Sequence, residues 1–308
     1  MDVKSSFHNR SIISIADMTK DDLLQVIKRA EEFKKKKPRR DLEGFVLATC
    51  FYEPSTRTRL SFESAMLRLG GDVIGFSDAQ STSAKKGESL HDAMRVIGQY
   101  ADAIVLRHPM DGAARCACEA TSTPIINAGD GSNQHPTQTL LDLFTIKECQ
   151  GKLKGLNIAF VGDLKHGRTV HSLAQACALF DIRLFFVSCE DLSLPDDICH
   201  SLRKNGVKFS FHQSIEEVLG KVDILYMTRI QKERFNSDAI RCQNNLRLSN
   251  PSILSKAKKN LRILHPLPRL DEIDTSIDAT PHAYYFEQAE NGLYVRQALL
   301  SLILKRGK

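Results

Sequence analysis

A chain of 308 residues, 42% hydrophobic and 26% charged, is long enough for about two globular domains, each with its own core. Its net charge of +6, from 43 basic and 37 acidic residues, is a small excess for a nucleic-acid binder and favours small anions as ligands. No apolar run reaches membrane-spanning length, the start Met1-Asp2-Val3-Lys4 lacks a basic-then-apolar leader, and the eight cysteines are scattered, Cys116 and Cys118 having the wrong spacing for a CxxC half-site; the expectation is a cytoplasmic protein with reduced, mostly buried thiols and no metal site.

The periodic segment Leu23, Leu24, Ile27, Ala30 predicts a first helix. The run Lys34-Lys35-Lys36-Lys37 before Pro38, with Arg39-Arg40, reads as its solvated C-terminal end, where cations suit the dipole, rather than as a polyanion patch. Residues 46–52 are an apolar run of strand length that Pro54 ends, and Phe62, Ala65, Met66 and Leu69 then recur at helical spacing until Gly70-Gly71. Ser55-Thr56-Arg57-Thr58-Arg59 therefore falls where a strand turns into a helix. Free backbone N–H groups, the dipole and two guanidiniums make that junction a phosphate grip, because a plain cap needs one hydroxyl and no arginine.

Strands at 72–76 and 103–106 flank a helix marked by Leu90, Met94, Ile97 and Ala101, while residues 79–86 are polar and read as a mobile loop. A long helix starts near Pro136, runs through Leu140, Leu141 and Phe144, and is broken by the stretch from Gly151 to Gly155. A second alternating series follows, with strands at 156–161, 184–187, 207–210, 222–227 and 261–264, and Val295, Ala298, Leu299 and Leu302 outline a terminal amphipathic helix. The expected fold is α/β: two doubly wound parallel-sheet domains, 1–134 and 135–287, with helix 288–308 packing back on the first and an active site in the cleft between them.

Polar chemistry gathers after the strands, as open α/β sheets require. Arg107-His108-Pro109, the run Asn133 to Gln138, Gly162 to Arg168, Thr228-Arg229-Ile230-Gln231 and His265-Pro266-Leu267-Pro268-Arg269 each follow an apolar run. The run from Gly162 to Thr169 has P-loop spacing, but Arg168 stands where that motif needs lysine and no Walker B strand accompanies it. A P-loop-like NTPase is thus the weaker alternative.

Ser55-Thr-Arg-Thr-Arg59, Arg107-His-Pro109, His135-Pro-Thr-Gln138 and His265-Pro-Leu-Pro268 together resemble the carbamoyltransferases over nearly the whole chain. Within that family, the run Tyr226 to Arg234 and the proline at Pro266 resemble the aspartate-using branch rather than the ornithine-using one, and bacterial catalytic chains that assemble with separate regulatory chains. The resemblance implies transfer of a carbamoyl group from carbamoyl phosphate to L-aspartate, giving N-carbamoyl-L-aspartate and phosphate, without a cofactor. The alternatives are an ornithine or other amino-acid carbamoyltransferase and an inactive scaffold subunit. About three net negative charges must then be held together near neutral pH, which suits convergent arginines.

By position, the resemblance makes Ser55, Thr56, Arg57 and Thr58 the phosphate cradle, with Arg107 reaching phosphate and carbonyl oxygen. Thr58, Arg107 and His135 would polarise the carbonyl, His135 as a donor rather than a general base. Gln138 and the backbone carbonyls of Pro266 and Leu267 would hold the carbamoyl nitrogen. Arg168 would take the α-carboxylate of aspartate, Arg229 and Gln231 the β-carboxylate, and Pro268 would line that end. Lys86 and a loop hydroxyl, Ser83 or Thr82 with Ser83 preferred, would arrive from a neighbouring subunit of a homotrimer. Glu53, Arg234 and Asp271 are expected to act in domain closure, and the Leu267–Pro268 bond to be cis.

Overall fold

The computed structural model describes residues 7–36, 40–229 and 245–305. Chain contacts group Met1–Phe144 with Glu290–Lys308 in one compact unit and Thr145–Ala289 in a second.

The first unit opens with α1 (Lys20–Lys35), started by a reciprocal capping box between Thr19 and Asp22. Then come β1 (Val46–Phe51), α2 (Thr56–Arg68), β2 (Asp72–Phe76), α3 (Leu90–Ile97), β3 (Ala103–His108), α4 (Ala113–Ala120), β4 (Ile125–Asp130) and the start of α5 (Pro136–Gln150). The four strands form a parallel sheet in the order β2-β1-β3-β4. Strands β1, β3 and β4 are almost wholly buried, which is why they read as continuous apolar runs instead of alternating ones. Because β2 lies to one side of β1 and β3 to the other, the chain reverses its direction of progress between β1 and β3. That is the switch point where ligands bind at strand carboxyl ends.

Three details differ from the sequence reading. Residues 79–86 are two short 3-10 turns, Ala79–Ser81 and Ser83–Lys86, held by Asp78 accepting from the Gln80 N–H and Thr82 accepting from the Ala84 N–H. Lys34 is not merely solvated: its Nζ donates to Asn291 Oδ1 at 2.8 Å. α4 had no clear apolar stripe in the sequence because its buried face is made of alanines, Ala113, Ala114 and Ala117.

The second unit contains β5 (Asn157–Val161), α6 (Arg168–Cys177), β6 (Arg183–Val187), α7 (Asp196–Lys204), β7 (Phe209–His212), β8 (Ile224–Met227) and β9 (Arg262–Leu264), and the chain then enters α8 (Tyr285–Ile303). Its sheet is also parallel, in the order β7-β6-β5-β8-β9, with the switch point between β5 and β6 on one side and β8 on the other. β7 lies two residues later than the apolar run suggested, because the Val207 N–H is spent closing the end of α7 on Leu202 O. The cysteines also need a correction. Cys50, Cys116, Cys118, Cys149, Cys177 and Cys199 are not disulfide-bonded, but Cys189 is; spacing along the chain does not reveal which sulfurs the fold brings together. Among the described residues, no helix is long and apolar enough to cross a membrane.

Candidate active site

In the first unit, the parallel pairing of β1 with β3 sets Phe51 beside Arg107, so the start of α2 and the end of β3 lie side by side. Ser55 is the N-cap of α2, yet its side chain makes no capping bond, leaving the hydroxyl and the first-turn N–H groups for another partner. Arg59 does not share in the grip: its Nε donates to Glu63 Oε1 at 2.7 Å. Of the two guanidiniums in that run, Arg57 is the one left over.

Arg107 is held from behind. Its Nη1 donates to Ala128 O and its Nη2 to Glu53 Oε1, both at 3.2 Å, while its buried Nε has no hydrogen-bond partner among the described residues. Glu53, expected to act in domain closure, here orients Arg107. Partial burial and the nearby Arg107 charge hold the Arg57 guanidinium below its ordinary value. Two like charges close together beside an open helix N-terminus are an arrangement that favours an anion. Thr58, buried in the same first turn, adds a hydroxyl.

β4 delivers the next group. Asp130, at its end, accepts from Asn127 Nδ2 and the Gly112 N–H, both at 2.9 Å, and from the Gln134 N–H at 3.2 Å. These bonds fix the turn that leads into buried His135, whose Nδ1 lies 3.4 Å from the Thr137 hydroxyl. Gln138, one turn into α5, donates from Nε2 to Asp142 Oδ1 at 2.9 Å. Ser83 and Lys86 sit exposed on the second 3-10 turn, and neither side chain has a hydrogen-bond or ion-pair partner among the described residues.

The second unit brings Arg168 and Arg229 to the ends of the neighbouring strands β5 and β8. Gly162, just after β5, has φ +116, and a Cβ there would meet Thr228 O at 2.6 Å, so this close approach of the two strand ends needs glycine. Asp163 then accepts from the His166 N–H at 3.0 Å, and Gly167 caps α6 at a point where a Cβ would meet Asp163 O at 2.6 Å. The glycines with P-loop spacing are thus explained by packing of the loop on itself and on the end of β8. Arg168 is the first residue of α6. Gln231 and Arg234 lie outside the described residues. Asp271 pairs with Arg247, and Arg269 is engaged by Asp278 and Tyr285.

After β9, His265 organises the turn that presents Leu267 and Pro268. The Leu267 N–H donates to His265 Nδ1 at 2.8 Å, which leaves the ring proton on Nε2, 2.7 Å from Glu272 Oε1. Leu267 takes φ 57 and the Leu267–Pro268 bond is cis. Burial works to raise the Glu272 carboxyl, but bonds from His265 and from backbone N–H groups outweigh it and hold the group below its ordinary value. Glu272→Leu is expected to cost about 2 kcal/mol, since it strands the buried His265 Nε2 donor. Urea unfolding would measure it. A carboxyl lowered in the folded state stabilises above its unfolded pKa of about 4.3 and stops doing so as pH falls through the folded value. Wild type should therefore lose this increment on acidification, and the variant should not.

Asp130, Asp142, Asp163 and Glu272 were not singled out in the sequence, and Glu53 was expected in domain closure rather than behind Arg107. Only Asp142, four residues after Gln138, and Asp163, three before His166, left a local spacing signal.

The carbamoyl-P binding domain of the aspartate/ornithine carbamoyltransferases matches residues 10–148, and the Asp/Orn binding domain of the same family matches residues 154–303. The aspartate carbamoyltransferase catalytic subunit of Chromobacterium violaceum is 55% identical over 298 residues, covering 96% of this chain and 98% of that protein. The corresponding subunit of Vibrio cholerae is 54% identical, covering 97% and 98%. Among solved structures, the catalytic subunit of M. jannaschii aspartate transcarbamoylase superposes with a TM-score of 0.89 at 50% identity, covering 95% of this chain and 97% of that one. Aspartate transcarbamoylase from Trypanosoma cruzi, in complex with N-(phosphonacetyl)-L-aspartic acid, gives a TM-score of 0.91 at 36% identity, with 97% of each chain covered. Matched along both domains, and built on the two parallel sheets whose strand ends carry Arg57, Arg107, Arg168 and Arg229, the chain belongs to the aspartate/ornithine carbamoyltransferase family.

Proposed function

We propose that this chain transfers the carbamoyl group of carbamoyl phosphate to the amine of L-aspartate, yielding N-carbamoyl-L-aspartate and phosphate, as a step of pyrimidine synthesis. The observation that carries the reading is the Arg57–Arg107 pair at the N-terminus of α2, with the Arg107 Nε unspent. It suits a phosphate that is released as the leaving group. The aspartate branch is supported by relatives at 54–55% identity that are aspartate carbamoyltransferases.

In this mechanism Ser55, Thr56, Arg57 and Thr58 hold the phosphate, and Thr58, Arg107 and His135 donate to the carbonyl oxygen as it becomes an oxyanion. Gln138 and the carbonyls of Pro266 and Leu267 hold the carbamoyl nitrogen. Arg168 fixes the α-carboxylate, while Arg229 and Gln231 fix the β-carboxylate next to Pro268. The amine nitrogen attacks the carbonyl carbon, the bond from that carbon to the phosphate oxygen breaks, and the proton lost by the amine goes to the departing phosphate. The protein positions the two substrates and stabilises charge, so no resident base is needed.

The working unit in this reading is a cytoplasmic homotrimer in which Ser83 and Lys86 complete the site of a neighbouring copy. Relatives called catalytic subunits support an assembly that also includes regulatory chains. Carbamoyl-phosphate consumption should proceed with L-aspartate and release one phosphate per carbamoyl-aspartate formed. Product with ornithine alone would overturn the substrate assignment, and no product with either amine would favour the scaffold reading.

A further inference from the structure

α5 carries Gln138 and Asp142 one turn apart, and α8 carries Gly292 and Arg296 one turn apart, all four within the first compact unit. Asp142 is fully buried, and Gln138 and Arg296 are nearly so. Arg296 folds back over Gly292 onto α5: a Cβ at Gly292 would meet Arg296 Nη1 at 2.3 Å and Leu141 Cδ2 at 3.3 Å. Its guanidinium carbon lies 5.0 Å from the centre of the Phe62 ring, and its buried Nε has no hydrogen-bond partner among the described residues. Burial lowers the Arg296 guanidinium to about 10, and the charge acting against that loss is Asp142. A buried arginine in such apolar company keeps its proton when a carboxylate remains ionised beside it.

The consequence falls on Gln138. A carboxamide can present either its NH2 or its oxygen to a neighbour, and the neighbour's chemistry decides which. An ionised carboxylate only accepts. Asp142 therefore takes the NH2 end, at 2.9 Å, and leaves Gln138 Oε1 as the end free to meet another group. A protonated or amide side chain at position 142 could donate instead, and Gln138 could then turn over.

We propose that Arg296 and Asp142 form a polarity lock that makes Gln138 Oε1 an obligate acceptor, so that the site selects an acyl phosphate bearing N–H donors over one bearing a methyl group. The inference rests on the proposed function, in which Gln138 faces the carbamoyl nitrogen. Asp142 and Arg296 touch no substrate; they are positioning residues acting through Gln138.

The discriminating probe is acetyl phosphate, similar in shape to carbamoyl phosphate but with CH3 in place of NH2. The kcat/KM of each acyl phosphate is measured at saturating L-aspartate for wild type, Asp142→Asn, Arg296→Met and Arg296→Lys. Wild type should prefer carbamoyl phosphate. Asp142→Asn should lower the carbamoyl-to-acetyl ratio at least about tenfold, roughly the worth of one hydrogen bond, with the loss falling on carbamoyl phosphate. Arg296→Met should move the ratio the same way, and Arg296→Lys, which keeps the charge, should restore most of it. A parallel loss on both substrates, or an unmoved ratio, would overturn the lock in favour of simple packing. Should Asp142→Asn fail to fold, the Met and Lys variants decide by the same ratio. Failure of the underlying functional reading would appear in wild type itself, as no carbamoyl transfer to aspartate.

Discussion

Arg107→Ala is expected to lose at least about 100-fold in turnover, the scale of deleting one preorganised donor to a developing oxyanion. The structure gives the reason for so large a loss from one side chain. Two of its nitrogens are already committed, to Ala128 O and to Glu53, which fixes the plane of the guanidinium before any ligand arrives. The third, Nε, is buried without a partner among the described residues, so its desolvation cost is recovered when an acceptor arrives. Lysine cannot reproduce that fork, and Arg107→Lys should rescue little. A second readout separates the anion site from general damage. Inorganic phosphate should raise the melting temperature of wild type, because a ligand bound only by the folded state stabilises it, and should raise that of Arg107→Ala much less. Without ligand, the alanine variant should not be strongly destabilised, since it also removes the repulsion that Arg107 exerts on Arg57. Turnover within tenfold of wild type, together with an undiminished phosphate shift, would refute the assignment.

Much of the fold was legible because buried parallel strands leave a plain mark. β1, β3 and β5 are apolar runs bounded by proline, glycine or charge, and their ends were located to within a residue or two. What escaped had no such mark. α4 buries alanines, which barely alter a hydropathy pattern, and β7 starts late because a backbone hydrogen bond holds Val207 in the turn before it. The site shows the same division. Strand-end arginines and histidines stand out by residue type, and the fold sets Arg107 beside the start of α2 and Arg168 and Arg229 at adjoining strand ends. The acids behind them do not stand out. Glu53 meets Arg107 across 54 positions of sequence, a pairing set by strand order rather than by local pattern. Arg59 shows the converse: alike in type to Arg57, it is claimed by Glu63 one helical turn away, a spacing already present in the sequence.

Mixing two inactive variants should restore activity if the site is shared between copies. Ser83 and Lys86 lie on a short exposed turn, and their side chains have no partner among the described residues. A lysine set on its turn without a partner among the described residues suits a role on another copy. Lys86→Ala chains keep their own phosphate cradle, and Arg57→Ala chains keep their own Lys86. In a cyclic trimer, each site would take its cradle from one copy and its lysine from the next. Every mixed trimer, whether two-to-one or one-to-two, then contains a single junction at which an intact cradle meets an intact lysine. Random reassembly from equal amounts makes about three quarters of the trimers mixed, each with one working site in three, so about a quarter of wild-type activity should return. A site built from one chain predicts no recovery at any mixing ratio. Recovery should also require that the subunits be separated and allowed to reassociate, because combining intact assemblies creates no new junctions. Recovery without exchange would point to a trivial contaminant, and none after verified exchange would place Lys86 outside the neighbour's site.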